Sequence, residues 1–184
     1  MTLIQSGKDK NAINLNTDRL FLRNLEPEDV DDILDLWIDP DVTEFMGGPR
    51  EINDLRKGLT EDSSNPYEYE YDLWPVIEKS SGTLVGHCGL LEKEIEGKSE
   101  IEVIYVIKKK YWGRAYASEA ANALIEYAFT QKKLNRVVAM IKPANKRSER
   151  VAEKCGMKFE KEILRMENVT MKLYVKEMSS GCCR

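Results

Sequence analysis

The sequence predicts a mixed α/β fold, a mostly antiparallel sheet with at least one parallel strand pair and helices packed against it. Three observations predict it. Between residues 73 and 107 the chain reads as three strands joined by the tight turns Ser80-Ser81-Gly82 and Glu96-Gly97-Lys98, and such short turns make antiparallel neighbours. Between residues 100 and 141 a strand, a helix and a second strand follow in turn, the crossover that a parallel pair needs. The length of 184 residues, 42% hydrophobic and 33% charged, fits one domain with a core of its own. That domain is assigned to residues 14–178, with residues 1–13 and 179–184 as flexible tails.

Each element has its own local warrant. Leu20 and Leu22 alternate with Arg19, Phe21 and Arg23, the period of a half-buried strand. Glu26-Pro27-Glu28-Asp29 suits a helix start, with proline in the first turn and acids at the positive dipole end. Val30, Ile33, Leu34 and Trp37 then recur at helical spacing, predicting an amphipathic helix that stops by Pro40. Gly47-Gly48-Pro49 breaks the chain, a weak helix spans 50–61, and Asn65-Pro66 marks a turn. Residues 73–79 and 83–91 are expected to form a hairpin. Residues 100–107 add a strand with Ile101, Val103, Tyr105 and Ile107 on one face. The stripe Ala117, Ala120, Ala121, Leu124 and Ala128 predicts a helix over 117–131 that can lie close on a sheet. Residues 135–141 are apolar enough for a buried strand that Pro143 ends. A short helix over 147–154 stops at Gly156, and residues 158–164 and 169–176 close the fold as a strand pair. Neither a repeat nor a linker divides the chain.

Composition narrows the function. Lys and Arg number 28 against 32 Asp and Glu, a net charge of −4, which argues against a protein that coats nucleic acid. There is no apolar stretch of membrane-spanning length and no signal-peptide core at the start, so a cytoplasmic protein with no membrane partner is expected. Four cysteines, one histidine and no CxxC spacing give no expectation of a metal site.

The most informative stretch is Lys110-Tyr111-Trp112-Gly113-Arg114-Ala115-Tyr116-Ala117-Ser118-Glu119-Ala120. It joins a strand rich in β-branched residues to a helix. Small residues there let a ligand approach the backbone, and the helix start offers unpaired N–H groups. Lys108, Lys109, Lys110 and Arg114 add positive charge. An ordinary strand–helix turn with a solvated basic run explains the same residues. It is neither a Walker loop nor GxGxxG.

Lys110-x-x-Gly113-x-Ala115 resembles the pyrophosphate loop of the GNAT N-acetyltransferases. Residues 102–107 with 111–120 are similar to the RimJ/RimL branch, which acetylates ribosomal-protein N-termini and other amines. Asn145-Lys146-Arg147-Ser148, the segment 151–159 and the opening Thr17-Asp18-Arg19-Leu20 fit that branch as well. The resemblance covers about residues 15–176. It implies a twisted sheet of about six to seven strands with a central parallel pair, flanked by about four helices. It also implies acetyl-CoA as co-substrate. The residues it places against acetyl-CoA are Tyr105, Val106 and Ile107, then Lys110, Trp112, Gly113 and Arg114, then Ala115, Tyr116, Ala117 and Ser118, with Asn145 and Ser148. The partner is an amine-bearing small molecule or a protein N-terminus, and a homodimer is left open. Ala152 stands where many members outside the branch carry a tyrosine that protonates the leaving thiolate. The same fold without catalysis, as an acetyl-CoA sensor, is the alternative.

Within that resemblance Glu102 is the candidate base, against the alternative of a solvent-facing strand glutamate like Glu100. His87 is the single imidazole and a second catalytic candidate, although a lone histidine in a strand is commonly structural. Asn145 and Ser148 can also serve as helix caps. Glu68 and Glu70, in the acidic-aromatic run Tyr67-Glu68-Tyr69-Glu70-Tyr71-Asp72, are expected to hold a cationic acceptor, with Trp37 as a further acceptor contact. A solvated strand edge accounts equally for that run.

Overall fold

The computed structural model describes residues 11–165 and 169–178. The expected tails at 1–10 and 179–184, with Cys182 and Cys183, lie outside the described residues. Eight described strands form one sheet: β1 (Asn14–Asn16), β2 (Leu20–Arg23), β3 (Leu73–Glu78), β4 (Thr83–Ile95), β5 (Lys98–Ile107), β6 (Arg136–Ile141), β7 (Lys158–Arg165) and β8 (Val169–Glu177). Their order is β1-β2-β3-β4-β5-β6-β8-β7. All neighbours run antiparallel except β5 and β6, which are parallel. The helices are α1 (Val30–Ile38), α2 (Pro40–Thr43), α3 (Ile52–Ser64), α4 (Tyr116–Thr130) and α5 (Lys146–Lys154). None of them is long and apolar enough to cross a membrane.

The two faces of the sheet are covered separately. On one, the alanine stripe of α4 works as its spacing predicts: Ala120, Ala121, Leu124 and Ala128 are at most 1% exposed and pack on Leu22, Val76, Leu90 and Val103. On the other, α1 and α3 bring Ile33, Leu36, Trp37 and Leu59 onto Leu84 and Val106. Further along the sheet a third cluster joins Ile95, Val138, Ile163, Leu173 and Val175. By the two-residue alternation of a strand, Glu102, Ile104 and Val106 share one face of β5. Val106 and Ile104 belong with the α1–α3 cluster, whereas Val138, level with Glu102 on β6, belongs to the third. Glu102 therefore lies between two apolar clusters.

Four details differ from the sequence expectation. There are eight strands rather than six or seven, because Asn14–Asn16 adds an edge strand to β2. Ile13, expected in a loose tail, is 4% exposed in the core, and its N–H donates to Asn24 Oδ1 at 2.8 Å. Pro40 does not end the helical segment but starts α2, making five helices. Its lack of an N–H costs nothing at a first helical position, and the Asp39 carboxylate caps the turn by accepting from Asp41 and Val42. The weak helix runs three residues longer than expected, to Ser64.

Gly89 on β4 marks a close approach. A Cβ there would overlap the Asp72 carbonyl oxygen, which accepts from Leu90 N–H at 3.0 Å. This contact draws Asp72 into the fold, and burial pushes its carboxyl up to about 6. A carboxyl raised above its unfolded value favours the folded state while protonated, and that advantage disappears as pH rises through about 6. Asp72→Asn should therefore stabilise the protein above pH 6 by about 1–2 kcal/mol, after discounting for partial exposure, with no gain near pH 4. Urea midpoints of both proteins at the two pH values measure this, and an equal difference at both would refute the assignment.

Candidate active site

Strands β5 and β6 pair at one position, Glu102 with Val138, and then part. The wedge between them opens into a cavity of about 940 Å³. Residues 102–107 of β5 form one wall and residues 139–142, at the end of β6, the other. Past the split, the β5 edge facing the wedge has no strand partner, so its backbone groups are available to an extended ligand.

One end of the cavity is the β5–α4 junction. Gly113 and Ala115 take left-handed backbone conformations, φ +80° and +64°, turning the chain sharply into α4. No side chain caps the helix, and its first bond runs from Glu119 N–H to the Ala115 carbonyl at 3.0 Å. The N–H groups of Tyr116, Ala117 and Ser118 are thus left for a ligand, and all three residues line the cavity. Trp112 braces the loop by donating Nε1–H to the Ile107 carbonyl at 2.7 Å. Opposite stands α5. Arg147, Arg150 and Lys154 recur at helical spacing and line the same cavity, with Arg147 stacked over Trp112 at 4.2 Å. An anionic chain entering here meets backbone donors on one side and a cationic helix face on the other.

In the middle, Tyr105 Oη lies 2.9 Å from Ser148 Oγ, tying β5 to α5. Burial pushes the Tyr105 phenol upward, so it stays protonated. Asn145 caps α5 by accepting from Ser148 N–H at 3.1 Å, and both residues also line the cavity. Capping and cavity lining coexist.

Glu102 lies deeper. It is 8% exposed, and its Oε1 accepts from Met140 N–H at 3.0 Å, bridging the two strands where they separate. Burial pushes its carboxyl above the usual carboxylate range, more than the Met140 N–H, Lys93 and Arg165 pull it down. Lys93, Arg165, Val169 and Met171 line the cavity around this end.

A family model described as an acetyltransferase (GNAT) domain matches residues 19–158. The chain belongs to the GNAT acetyltransferase family. It is 35% identical over 150 residues to the Bacillus subtilis (strain 168) protein named uncharacterized protein YkkB, covering 81% of this chain and 87% of that one. It is 32% identical over 152 residues to uncharacterized N-acetyltransferase p20 of Bacillus licheniformis, covering 80% and 83%. Among solved structures, an acetyltransferase of the GNAT family from Bacillus anthracis superposes with a TM-score of 0.76 at 27% identity, covering 90% of this chain and 98% of that one.

In this acetyltransferase the cavity gathers most residues that the sequence singled out: Glu102, the strand 105–107, Trp112, Gly113, the turn 115–118, Asn145 and Ser148. Lys110 and Arg114 sit beside it and stack on Tyr111, 5.1 and 5.3 Å from its ring. Four candidates are placed elsewhere. His87 is buried, accepts from Trp37 Nε1–H at 3.1 Å through Nδ1, and does not line the cavity. Burial pushes its imidazole down to about 4, so it is neutral at pH 7. Its Nε2 has no hydrogen-bond partner among the described residues. Trp37 is committed to that bond and to the α1–α3 core. Glu70 pairs with Lys132, just past the end of α4, at 3.3 Å, and Glu68 accepts from Asn65 at 3.0 Å. Neither glutamate reaches the cavity lining, because the 67–72 segment leads into β3, which β4 and β5 separate from the wedge.

The wall that sequence reasoning missed is Asp41, Val42, Phe45, Met46, Gly47 and Arg50, which follows α1. Its signal was faint: Phe45 and Met46 are apolar residues just before a Gly-Gly-Pro break, with no long helix to bury them.

Proposed function

We propose that the protein is an N-acetyltransferase that moves the acetyl group of acetyl-CoA directly to a primary amine, with Glu102 as the base. One observation carries this reading. A buried carboxylate stands in the wedge between the parting strands, in the same cavity as a helix N-terminus whose N–H groups are unspent. The name of the Bacillus licheniformis relative, an N-acetyltransferase, supports it.

The residues fit acetyl-CoA, whose thioester supplies the carbonyl carbon that an amine can attack. The N–H groups of residues 116–118 and the turn at Gly113 would hold its pyrophosphate. Arg147, Arg150 and Lys154 would face its phosphates, and the open edge of β5 at residues 105–107 would meet its amide arm, beside Asn145 and Ser148. Glu102 removes a proton from the amine, whose nitrogen bonds the acetyl carbon as the C–S bond breaks and coenzyme A leaves as a thiolate that takes up a proton. A lysine-like amine is neutral in only about 1 part in 2,500 at pH 7, a cost of roughly 4.6 kcal/mol, whereas an α-amino group costs about 1–1.4 kcal/mol. A carboxylate raised by burial is the stronger base for that step. The motifs at residues 102–120 and 145–159 support a RimJ/RimL-type enzyme acting on a small-molecule amine or a protein N-terminus.

Acetyl-CoA consumption against a panel of primary amines and peptides tests this. Turnover with a primary amine and mass gain of one acetyl group on it are expected. A protein that binds CoA and acetylates no amine is the sensor instead.

A further inference from the structure

The cavity carries a charge pattern opposite to that of the whole chain. Its lining holds Arg50, Lys93, Lys142, Arg147, Arg150, Lys154 and Arg165 against two acids, Asp41 and Glu102, in a protein of net charge −4. Asp41 is already neutralised by Lys109, 2.5 Å away. Five of these seven cations fall into two groups. Arg147, Arg150 and Lys154 stand on α5, opposite the helix N-terminus. Lys93 and Arg165 stand beside Glu102, where both act on its charge. Five residues of extended strand separate Glu102 from Ile107, about 17 Å, so Lys93 and Arg165 are too far from the α4 N-terminus to face the phosphates held there.

Resting on the acetyltransferase reading, we propose that Lys93 and Arg165 form an anion subsite for the acceptor. The acceptor is then an amine carrying an anionic group close to its nitrogen, in the manner of an amino acid. Among the described residues neither cation is held in a salt bridge, and the charge of both acts on Glu102. Glu100, which faces Lys93 across the β4–β5 ladder, is taken by Arg136 at 3.1 Å. Arg165 Nη1 lies 3.3 Å from Met140 Sδ, and Met140 is the residue whose N–H binds Glu102. Glu102 is the one carboxylate of the described lining at this end of the cavity, and when it takes a proton from the amine the described lining there holds only cations. An anionic group on the acceptor supplies the missing charge, and the guanidinium fork of Arg165 matches a carboxylate or phosphate. The same two cations disfavour an ammonium beside Glu102, which helps release its proton and repels a polyamine.

The test pairs each acceptor with its neutral twin. Free α-amino acids are compared with their amides, and O-phosphoethanolamine with ethanolamine, by acetyl-CoA consumption. At least one anionic member should exceed its twin by tenfold or more in kcat/KM, and the pair that does so separates carboxylate from phosphate. In Lys93→Gln/Arg165→Gln that ratio should fall to near one through acceptor KM, with KM for acetyl-CoA unchanged, while Arg165→Lys keeps part of it. Equal or better turnover of the neutral twins, fastest turnover of spermidine, or a ratio that survives in the double variant overturns the subsite and leaves the acetyltransferase reading intact. If no amine is acetylated, that reading fails and binding decides the subsite. CoA-loaded protein should bind N-acetyl amino acids or N-acetyl-O-phosphoethanolamine at least tenfold tighter than the neutral counterparts by calorimetry, and no such preference overturns the inference.

Discussion

Glu102→Gln should lower kcat by about 10²–10⁴ while leaving CoA affinity unchanged. The substitution keeps the size of the side chain. Its amide oxygen can still accept from Met140 N–H, the bond that bridges β5 and β6, so the wedge keeps its shape. What is lost is the ability to take a proton. The wild-type rate should also rise with pH through a carboxyl pKa lying above the usual range, because burial raises that of Glu102, and the variant should lose that limb. For stability the sign runs the other way. A carboxyl raised in the folded state favours folding most when protonated, and this advantage is lost as pH rises through its folded pKa. Glu102→Gln should therefore be at least as stable as wild type at pH 7, so lost activity is not lost fold. Wild-type turnover in the variant from pH 6 to 9 would dismiss Glu102. His87 would not inherit the role, since its imidazole is buried outside the cavity and pushed down to about 4.

Gly113→Asp should weaken CoA binding by about 10² or more, measured by calorimetry. Two effects add. Residue 113 has φ +80°, where a side chain costs about 1–2 kcal/mol. The new carboxylate would also stand beside the pyrophosphate, and two like charges about 4 Å apart repel by about 1–4 kcal/mol between water and a partly screened surface. Steric overlap contributes nothing, because a Cβ at Gly113 meets no atom within 4 Å. Gly113→Ala separates the two effects. It carries the backbone strain alone and should cost about 5- to 30-fold at most. Equal CoA affinity in wild type and Gly113→Asp would show that the loop is not the pyrophosphate cradle.

Local signals made most of the fold legible. The alanine stripe of α4, the tight turns at Gly82 and Gly97, and the strand–helix–strand order each depend on residues near one another in the chain, and each appears where its pattern places it. The loop around Gly113 was legible for the same reason, since a turn into a helix is a local object. Pro40 was ambiguous on local grounds: a proline ends one helix or begins the next, and the Asp39 cap decided for the latter.

The far end of the site depended on contacts between distant segments. Glu100 and Glu102 look alike in the sequence and share one face of β5. They differ because Arg136 reaches Glu100 from β6, while Glu102 lies buried between apolar clusters where β5 and β6 separate, facing the cavity. Glu68 and Glu70 form an attractive acidic run, but charge patterning says nothing about which strand edge faces the cleft, and sheet order puts them far from it. Lys93, Arg165 and the wall at Phe45 and Met46 come from three separate parts of the chain. Periodicity and turn chemistry act over a few residues, so they specify elements. A binding site with walls from β4, β7 and the segment after α1 exists only once the sheet has brought those walls together.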